Sequence, residues 1–254
     1  MQPSELRRHK DRGRYDTESI SALFSDTYMA HVSFIDNGLP QCLPMIALFC
    51  DEGEAGEAVY LHGHPSSRLM ELIKKNATER TARVERGEED IDDRIKVCVT
   101  ATKIDGLVLS SAPNGNTFNY RSAALHGACS RVEDRAVKRD VMRAVTNHIV
   151  PGRWEDVNPV SSFQVALVFV VRVEIQRGTM KLRTGIPGIQ PRDREKDGPD
   201  REEPVWTGVV PMYEHLGSPV ASGLTDDAEE PGGLLKYIDE RNERRREYAR
   251  SVAR

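Results

Sequence analysis

"YLHGHPSSRLMELI" (60–73) joins two kinds of chain through a polar knot. "AVYLH" (58–62) is apolar and reads as a strand. The stretch 66–75 has helical spacing, with Leu69, Met70, Leu72 and Ile73 on one face. Between them stand His62, Gly63, His64, Pro65, Ser66, Ser67 and Arg68, and a serine there is well placed to cap the helix. A helix start carries backbone N–H groups without intrahelical acceptors. The joint therefore gathers three donors suited to a phosphate: the Ser66 and Ser67 hydroxyls, the Arg68 guanidinium and those N–H groups. An ordinary N-cap beside a solvated arginine needs the same residues, so the joint by itself leaves both readings open. Its histidines are equally open. His62 and His64, one on each side of Gly63, suit a metal ligand, a proton donor or a hydrogen bond to an anion. No third ligand in HxxxH or CxxC spacing accompanies them, which speaks against a metal.

Upstream, "TYMAHVSFI" (27–35) places Tyr28, Ala30, Val32 and Phe34 on alternate positions, as a half-buried strand does. "DNG" (36–38) is a hairpin turn, because Asn and Gly tolerate positive φ. "LPQCLPMIALFC" (39–50) returns as a second strand, which Pro40 and Pro44 confine to an edge or a bulge. Downstream, 76–94 is charged and aperiodic, an exposed insertion that includes a helix extension and a loop. "IKVCVTAT" (95–102) and "DGLVLSS" (105–111) read as two strands around a turn near 103–106. "NYRSAALHGACSRV" (119–132) reads as a long strand whose glycine marks a bulge.

Val137, Val141, Val145, His148 and Ile149 give 133–150 helical spacing, and "PG" (151–152) ends that helix, with Trp154 pinning it. "VALVFVVRVEI" (165–175) is the most apolar run and reads as a central strand. A polar loop follows at 186–204, then a short ordered return at 205–212. The charged helix of the tail (225–254) has a weak apolar stripe and is expected to lie on a partner or in solvent. Strands in this order, with one helix after the third and another late, predict a mainly β fold. The expected form is a closed six-stranded antiparallel barrel with peripheral helices over 1–224, and a helical extension over 225–254.

Composition excludes several classes. The chain has 254 residues, 38% apolar and 30% charged, with a formal net charge of -4. That charge argues against a broad basic face for nucleic acid, and no apolar run reaches the length of a membrane span. "MQPSELRRHKDRGRYD" (1–16) has no secretory hydrophobic region. Cys42, Cys50, Cys98 and Cys129 form no CxxC pair, and three of them sit in strand-like runs as small apolar residues. The expectation is a soluble cytoplasmic protein with reduced thiols, no structural zinc, and neither nucleic acid nor membrane as partner.

Seven phrases in order carry a resemblance: "RGRYD" (12–16), "YLHGHPSSRLM" (60–70), "VCVTATKIDGLVLSS" (97–111), "NYRSAALHGACSRVED" (119–134), "VPGRW" (150–154), "KLRTG" (181–185) and "PVWTGVVP" (204–211). Together they resemble the flavin-nucleotide-binding family related to pyridoxamine 5'-phosphate oxidase, near the nitroimidazole-resistance flavoproteins. The resemblance covers 12–211. It implies a split β-barrel, normally a homodimer with flavin mononucleotide (FMN) at the subunit interface. The insertion at 76–94 and the tail after Leu224 depart from the usual pattern.

The same resemblance implies site residues. Gly63, His64, Ser66, Ser67 and Arg68 surround the phosphate, and His62 lies beside the flavin. Pro44, Met45, Ile46, Ala47, Val99 and Thr100 are placed to back the ring with strand backbone, and they would look the same as plain barrel core. Arg121 and Ser122 approach the phosphate or the pyrimidine edge, with Asn119 and Tyr120 close by; the same residues also suit a loop-to-strand transition. Lys181, Arg183 and Trp206 suit closure of the site from the opposite subunit, while Trp206 equally suits a packing anchor.

The activity implied is that of an FMN-dependent oxidoreductase passing electrons from a reduced donor to a small oxidised substrate. No GxGxxG fingerprint is present, so a nicotinamide donor would bind transiently. The substrate-phosphate motifs of pyridoxamine-phosphate oxidation are not found in the tail, and no residue is assigned as catalytic. A non-enzymatic flavin-binding or sensing protein is the alternative. A haem-binding split barrel would need an axial histidine such as His31, His126 or His148, none with a supporting motif. A DNA-binding regulator would need "RNERRREYAR" (241–250), whose Glu243 and Glu247 suit a charged surface helix better.

Overall fold

The computed structural model describes residues 1–188, 205–225 and 229–254. Besides short 3-10 turns they form β1 (Gln2–Pro3), β2 (Gly13–Arg14), α1 (Thr17–Asp26), β3 (Ala30–Asp36), β4 (Leu39–Met45), β5 (Ala47–Asp51), β6 (Glu57–Gly63) and α2 (Arg68–Glu85). There follow β7 (Lys96–Leu109), β8 (Thr117–Val132), α3 (Arg135–Ile149), α4 (Arg153–Asp156), α5 (Ser162–Leu167), β9 (Phe169–Arg183), β10 (Gly208–Pro211) and α6 (Leu234–Ser251).

Alternation builds the sheet as the residue pattern dictates. Ala30, Val32 and Phe34 of β3 are buried, and His31, Ser33 and Ile35 face the other way. Asn37 (φ 48) and Gly38 (φ 79) are both left-handed, so a two-residue turn returns the chain into β4 with Asp36 opposite Leu39. β5 and β6 form a second antiparallel hairpin, with Ala47 opposite Leu61. The hydrogen-bonded order is β4-β3-β7-β8-β9-β6-β5. Its two end strands, β4 and β5, are separated in sequence by Ile46 alone. The ends of the sheet must therefore come within a residue's reach of each other, which curls it into a split barrel with the opening between β4 and β5.

The barrel interior holds Val32, Phe34, Val59, Leu61, Val99, Leu125, Val171 and Val173, with Ile20, Leu23 and Phe24 of α1 and Leu69, Met70 and Ile73 of α2 packed against it. Each such side chain, fully buried, contributes about 1.5–3 kcal/mol. A second cluster lies on the other face of β9, where Val170 meets Val141 and Val145 of α3. Burial on both faces explains why β9 reads as an unbroken apolar run and lies centrally, between β8 and β6.

Two compact units are present, one of Met1–Thr102 with Ser122–Met180 and one of Lys103–Arg121 with Lys181–Arg254. The barrel core above belongs to the first. In the second, β10 pairs antiparallel with β7, Gly208 opposite Leu109 and Pro211 opposite Gly106.

Four expectations change. The turn near 103–106 is instead the middle of one long strand, β7. Lys103 and Asp105 looked like turn residues, yet both are buried in the second unit, where Lys103 Nζ donates to Glu214 (2.6 Å) and Asp105 accepts from Arg121 (2.8 and 3.0 Å). The apolar strand begins at Phe169, because Ser161 and Gln164 close a capping box that makes 162–167 a helical turn. Gly127 lies in a continuous β8 and marks a close approach: a Cβ there would strike the backbone carbonyl of Glu174. Finally, α6 does not lie in solvent. It buries Arg241, Arg245 and Ala249, and Tyr248 lies under the Arg121 guanidinium at 4.1 Å. Long arginine stems on its inner face explain the weak apolar stripe.

The charged insertion is a helix extension followed by a loop. α2 continues to Glu85, and 86–94 folds back on it through ion pairs of Arg80 with Asp90 (2.6 Å) and Arg83 with Asp93. The polar loop at 186–204 lies outside the described residues from position 189 onward.

Candidate functional site

β6 delivers the joint between strand and helix. His62 pairs with Val170 and Gly63 with Phe169 of β9, so the strand end is fixed by its ladder. Gly63 lies close against its neighbours. A Cβ there would sit 3.0 Å from Met70 Cε and 3.6 Å from Ser67 Oγ, so the chain runs flush against the first turn of α2. The turn is closed by the Ser67 N–H donating to the His64 carbonyl (2.9 Å) and the Ser66 N–H donating to His64 Nδ1 (3.2 Å). The His64 ring thus holds the loop locally.

Ser67 occupies the N-cap with extended backbone (φ -72°, ψ 146°), but its hydroxyl makes no capping bond. The Glu71 N–H donates to the Ser67 carbonyl (3.0 Å), which opens the helical ladder. Among the described residues the N–H groups of Arg68, Leu69 and Met70 show no acceptor, and they sit at the positive end of the helix dipole. Arg68 donates from Nε to Asp36 Oδ2 (2.5 Å) and from Nη2 to Asp36 Oδ1 (2.8 Å). That bond holds the Asp36 carboxyl below its ordinary range. A groove of ≈ 660 Å³ runs along this face, lined by Asn37, Ser66, Arg68, Leu72, Lys74 and Lys75 among others.

His62 is half-buried, and its Nδ1 is enclosed without a hydrogen-bond partner among the described residues. Burial pushes its pKa below the ordinary value, so the folded protein keeps the ring neutral. The folded state then binds fewer protons than the unfolded chain as pH falls through about 6.5, and stability falls with it. Between pH 7 and 5 the melting temperature of the wild type is expected to drop more than that of His62→Asn. Parallel curves for the two proteins would contradict this.

Four of the ring-backing candidates, 44–47, lie at the opening of the barrel, while Val99 and Thr100 lie on β7. Pro44 and Met45 end β4, Ile46 is the link and buried Ala47 starts β5, beside Leu61 of β6. Pro44 pairs with His31, and His31 pairs with Thr100 of β7, so these three lie in one row across the sheet. Val99 points into the core, Thr100 Oγ1 reaches the His31 carbonyl (3.5 Å), and Ser122 Oγ meets Thr102 Oγ1 (3.1 Å).

Asn119, Tyr120, Arg121, Lys181, Arg183 and Trp206 fall in the second unit. Buried Asn119 donates to the carbonyls of Gly185 (3.2 Å) and Val252 (3.0 Å) and accepts from Arg183, tying down the end of α6. Arg121 engages Asp105 and Tyr248 as described above, while Tyr120 and Lys181 are half-buried. Trp206 is 66% exposed, and its indole lies over Gly208, where a Cβ would stand 2.6 Å from Cη2. Sequence reading missed Asp36 as the partner of Arg68. Its signal was present in "DNG", where an acid sits at the rigid end of a hairpin.

The family model described as pyridoxamine 5'-phosphate oxidase matches residues 16–182. The chain belongs to the pyridoxamine 5'-phosphate oxidase family. No curated protein sequence matches it. Among solved structures of this flavin-binding family's fold, it is similar to the flavocytochrome Anf3 from Azotobacter vinelandii, at 27% identity over 91% of this chain and 94% of that one, TM-score 0.71. It is also similar in fold to an FAD and haem binding protein from Mycobacterium smegmatis, at 21% identity over 89% and 97%, TM-score 0.69. No helix of the described residues is long and apolar enough to cross a membrane.

Proposed function

We propose that this member of the pyridoxamine 5'-phosphate oxidase family is an FMN-dependent oxidoreductase. It would pass electrons from a reduced donor, such as a transiently bound nicotinamide, to a small oxidised substrate. The observation that carries the reading is the joint 63–68, where the open N–H groups of α2, the Ser66 and Ser67 hydroxyls and the free edge of Arg68 meet at one helix start. Donors of that kind, with no internal acceptor, fit a phosphate. The flavin supplies the electron transfer. The chain holds the phosphate at Ser66, Ser67 and Arg68, backs the ring with 44–47 and with Val99 and Thr100, and sets neutral His62 beside it. The working unit in this reading is a cytoplasmic homodimer with the flavin at the subunit interface.

A second reading adds a haem, because the flavocytochrome aligns over nearly the whole chain at 27% identity. Of the three histidines raised as axial ligands, His148 Nε2 is bonded at the Thr27 carbonyl (3.0 Å), whereas His31 and His126 are exposed.

The visible spectrum of the purified protein tests both readings. A flavin spectrum, with FMN released on denaturation, is expected. Reduction by a nicotinamide and reoxidation by a nitroaromatic should follow. A colourless protein that cannot be reconstituted overturns the flavin reading, and release of FAD overturns the choice of FMN. Flavin that no reductant turns over supports the non-enzymatic alternative. A Soret band establishes the haem, and a spectrum without one dismisses it.

A further inference from the structure

We propose that Asp36 is a positioning residue for the flavin phosphate, holding one edge of Arg68 so that the other edge faces the anion. The inference rests on the phosphate reading given above. A guanidinium is a planar fork of donors with a side-on edge, Nε and Nη2, and an end-on edge, Nη1 and Nη2. Asp36 takes the side-on edge at 2.5 and 2.8 Å. Nη1 donates to no described residue, and Arg68 lines the ≈ 660 Å³ groove together with Ser66, Lys74 and Lys75 and the carboxylates of Glu71 and Glu79. The edge left over is the one whose paired N–H groups match two oxygens of a phosphate.

The carboxylate is the anchored member of the pair. Asp36 ends β3, pairs with Leu39 across the ladder and precedes two left-handed residues that close the hairpin. Its side chain is 11% exposed against 51% for Arg68. An arginine at the start of a helix otherwise sweeps many rotamers, and ordering it when an anion arrives weakens binding. Asp36 completes that ordering beforehand, which is preorganisation. A carboxylate that merely blocked Arg68 as an anion surrogate would act in the opposite direction, and its removal would tighten binding.

The experiment compares FMN with riboflavin, which has the same ring and no phosphate. Dissociation constants are read by flavin fluorescence on flavin-stripped wild type, Asp36→Asn, Asp36→Glu and Arg68→Ala. Asp36→Asn is expected to weaken FMN about tenfold, as for one charge-assisted contact misplaced, and to leave riboflavin unchanged, with Asp36→Glu recovering part of the loss. FMN binding in Asp36→Asn that equals or exceeds wild type, while Arg68→Ala loses it, overturns the role of Asp36 and leaves the phosphate reading standing. Equal weakening of FMN and riboflavin in Asp36→Asn assigns Asp36 to the fold alone and also overturns it. Retention of FMN by Arg68→Ala removes the phosphate reading and this inference together.

Discussion

Gly127→Val is expected to abolish folding, and Gly127→Ala to lower stability by about 3 kcal/mol or more, at the upper end for overpacked sites. The Cβ of any side chain at 127 would lie inside the contact radius of the Glu174 carbonyl oxygen and 2.8 Å from Val173 Cγ1. A long flexible side chain would swing away, but a carbonyl in a ladder cannot. Glu174 and Val173 are paired with Ala58 and Val59 on β6, so relief at one contact strains the strand that carries the site. Urea denaturation checks this: the midpoint should fall with an unchanged slope. An alanine variant as stable as the wild type would refute the close approach.

Arg68→Ala is expected to weaken FMN by roughly tenfold to a hundredfold, the range for a hydrogen bond to a charged group. The apoprotein should melt almost where the wild type does, because Arg68 is half-exposed and exposed ion pairs contribute little to stability. That split between ligand affinity and stability separates a binding residue from a structural one. It is read by titrating flavin-stripped protein and by melting the same samples. Unchanged FMN affinity would return Arg68 to the role of a solvated neighbour of Asp36.

The barrel was legible where one physical term dominated. Ala30, Val32 and Phe34 alternate because one face of β3 meets the core, and "DNG" gives the hairpin because its backbone needs left-handed residues. Legibility failed where charge went inward. Lys103 and Asp105 break the apolar alternation of β7, yet Lys103 finds its counter-charge 111 residues away at Glu214 and Asp105 finds Arg121 on the next strand, pairings that residue pattern alone does not show. The same holds for α6, whose buried face is made of arginine stems and an alanine. In the candidate site, the serines and Arg68 announced themselves by type. Asp36 announced only its place at the rigid end of a hairpin; its pairing with Arg68 did not show, since the partner lies on another element and only the fold brings them together.

The single-residue link at Ile46 also bears on how the chain assembles. The β3–β4 and β5–β6 hairpins close locally, and both lie ahead of residue 64. The strands that must enter between them, β7 to β9, extend to residue 183. Local contacts form early and distant ones late, because long loops must close first. During synthesis, then, β3 waits with an unpaired edge until β7 follows, and β6 waits for β9 while more than a hundred further residues are added. Open edges of that kind recruit foreign strands. The hazard for this protein lies in that interval, and a nascent chain stalled before β9 is the form most exposed to aggregation.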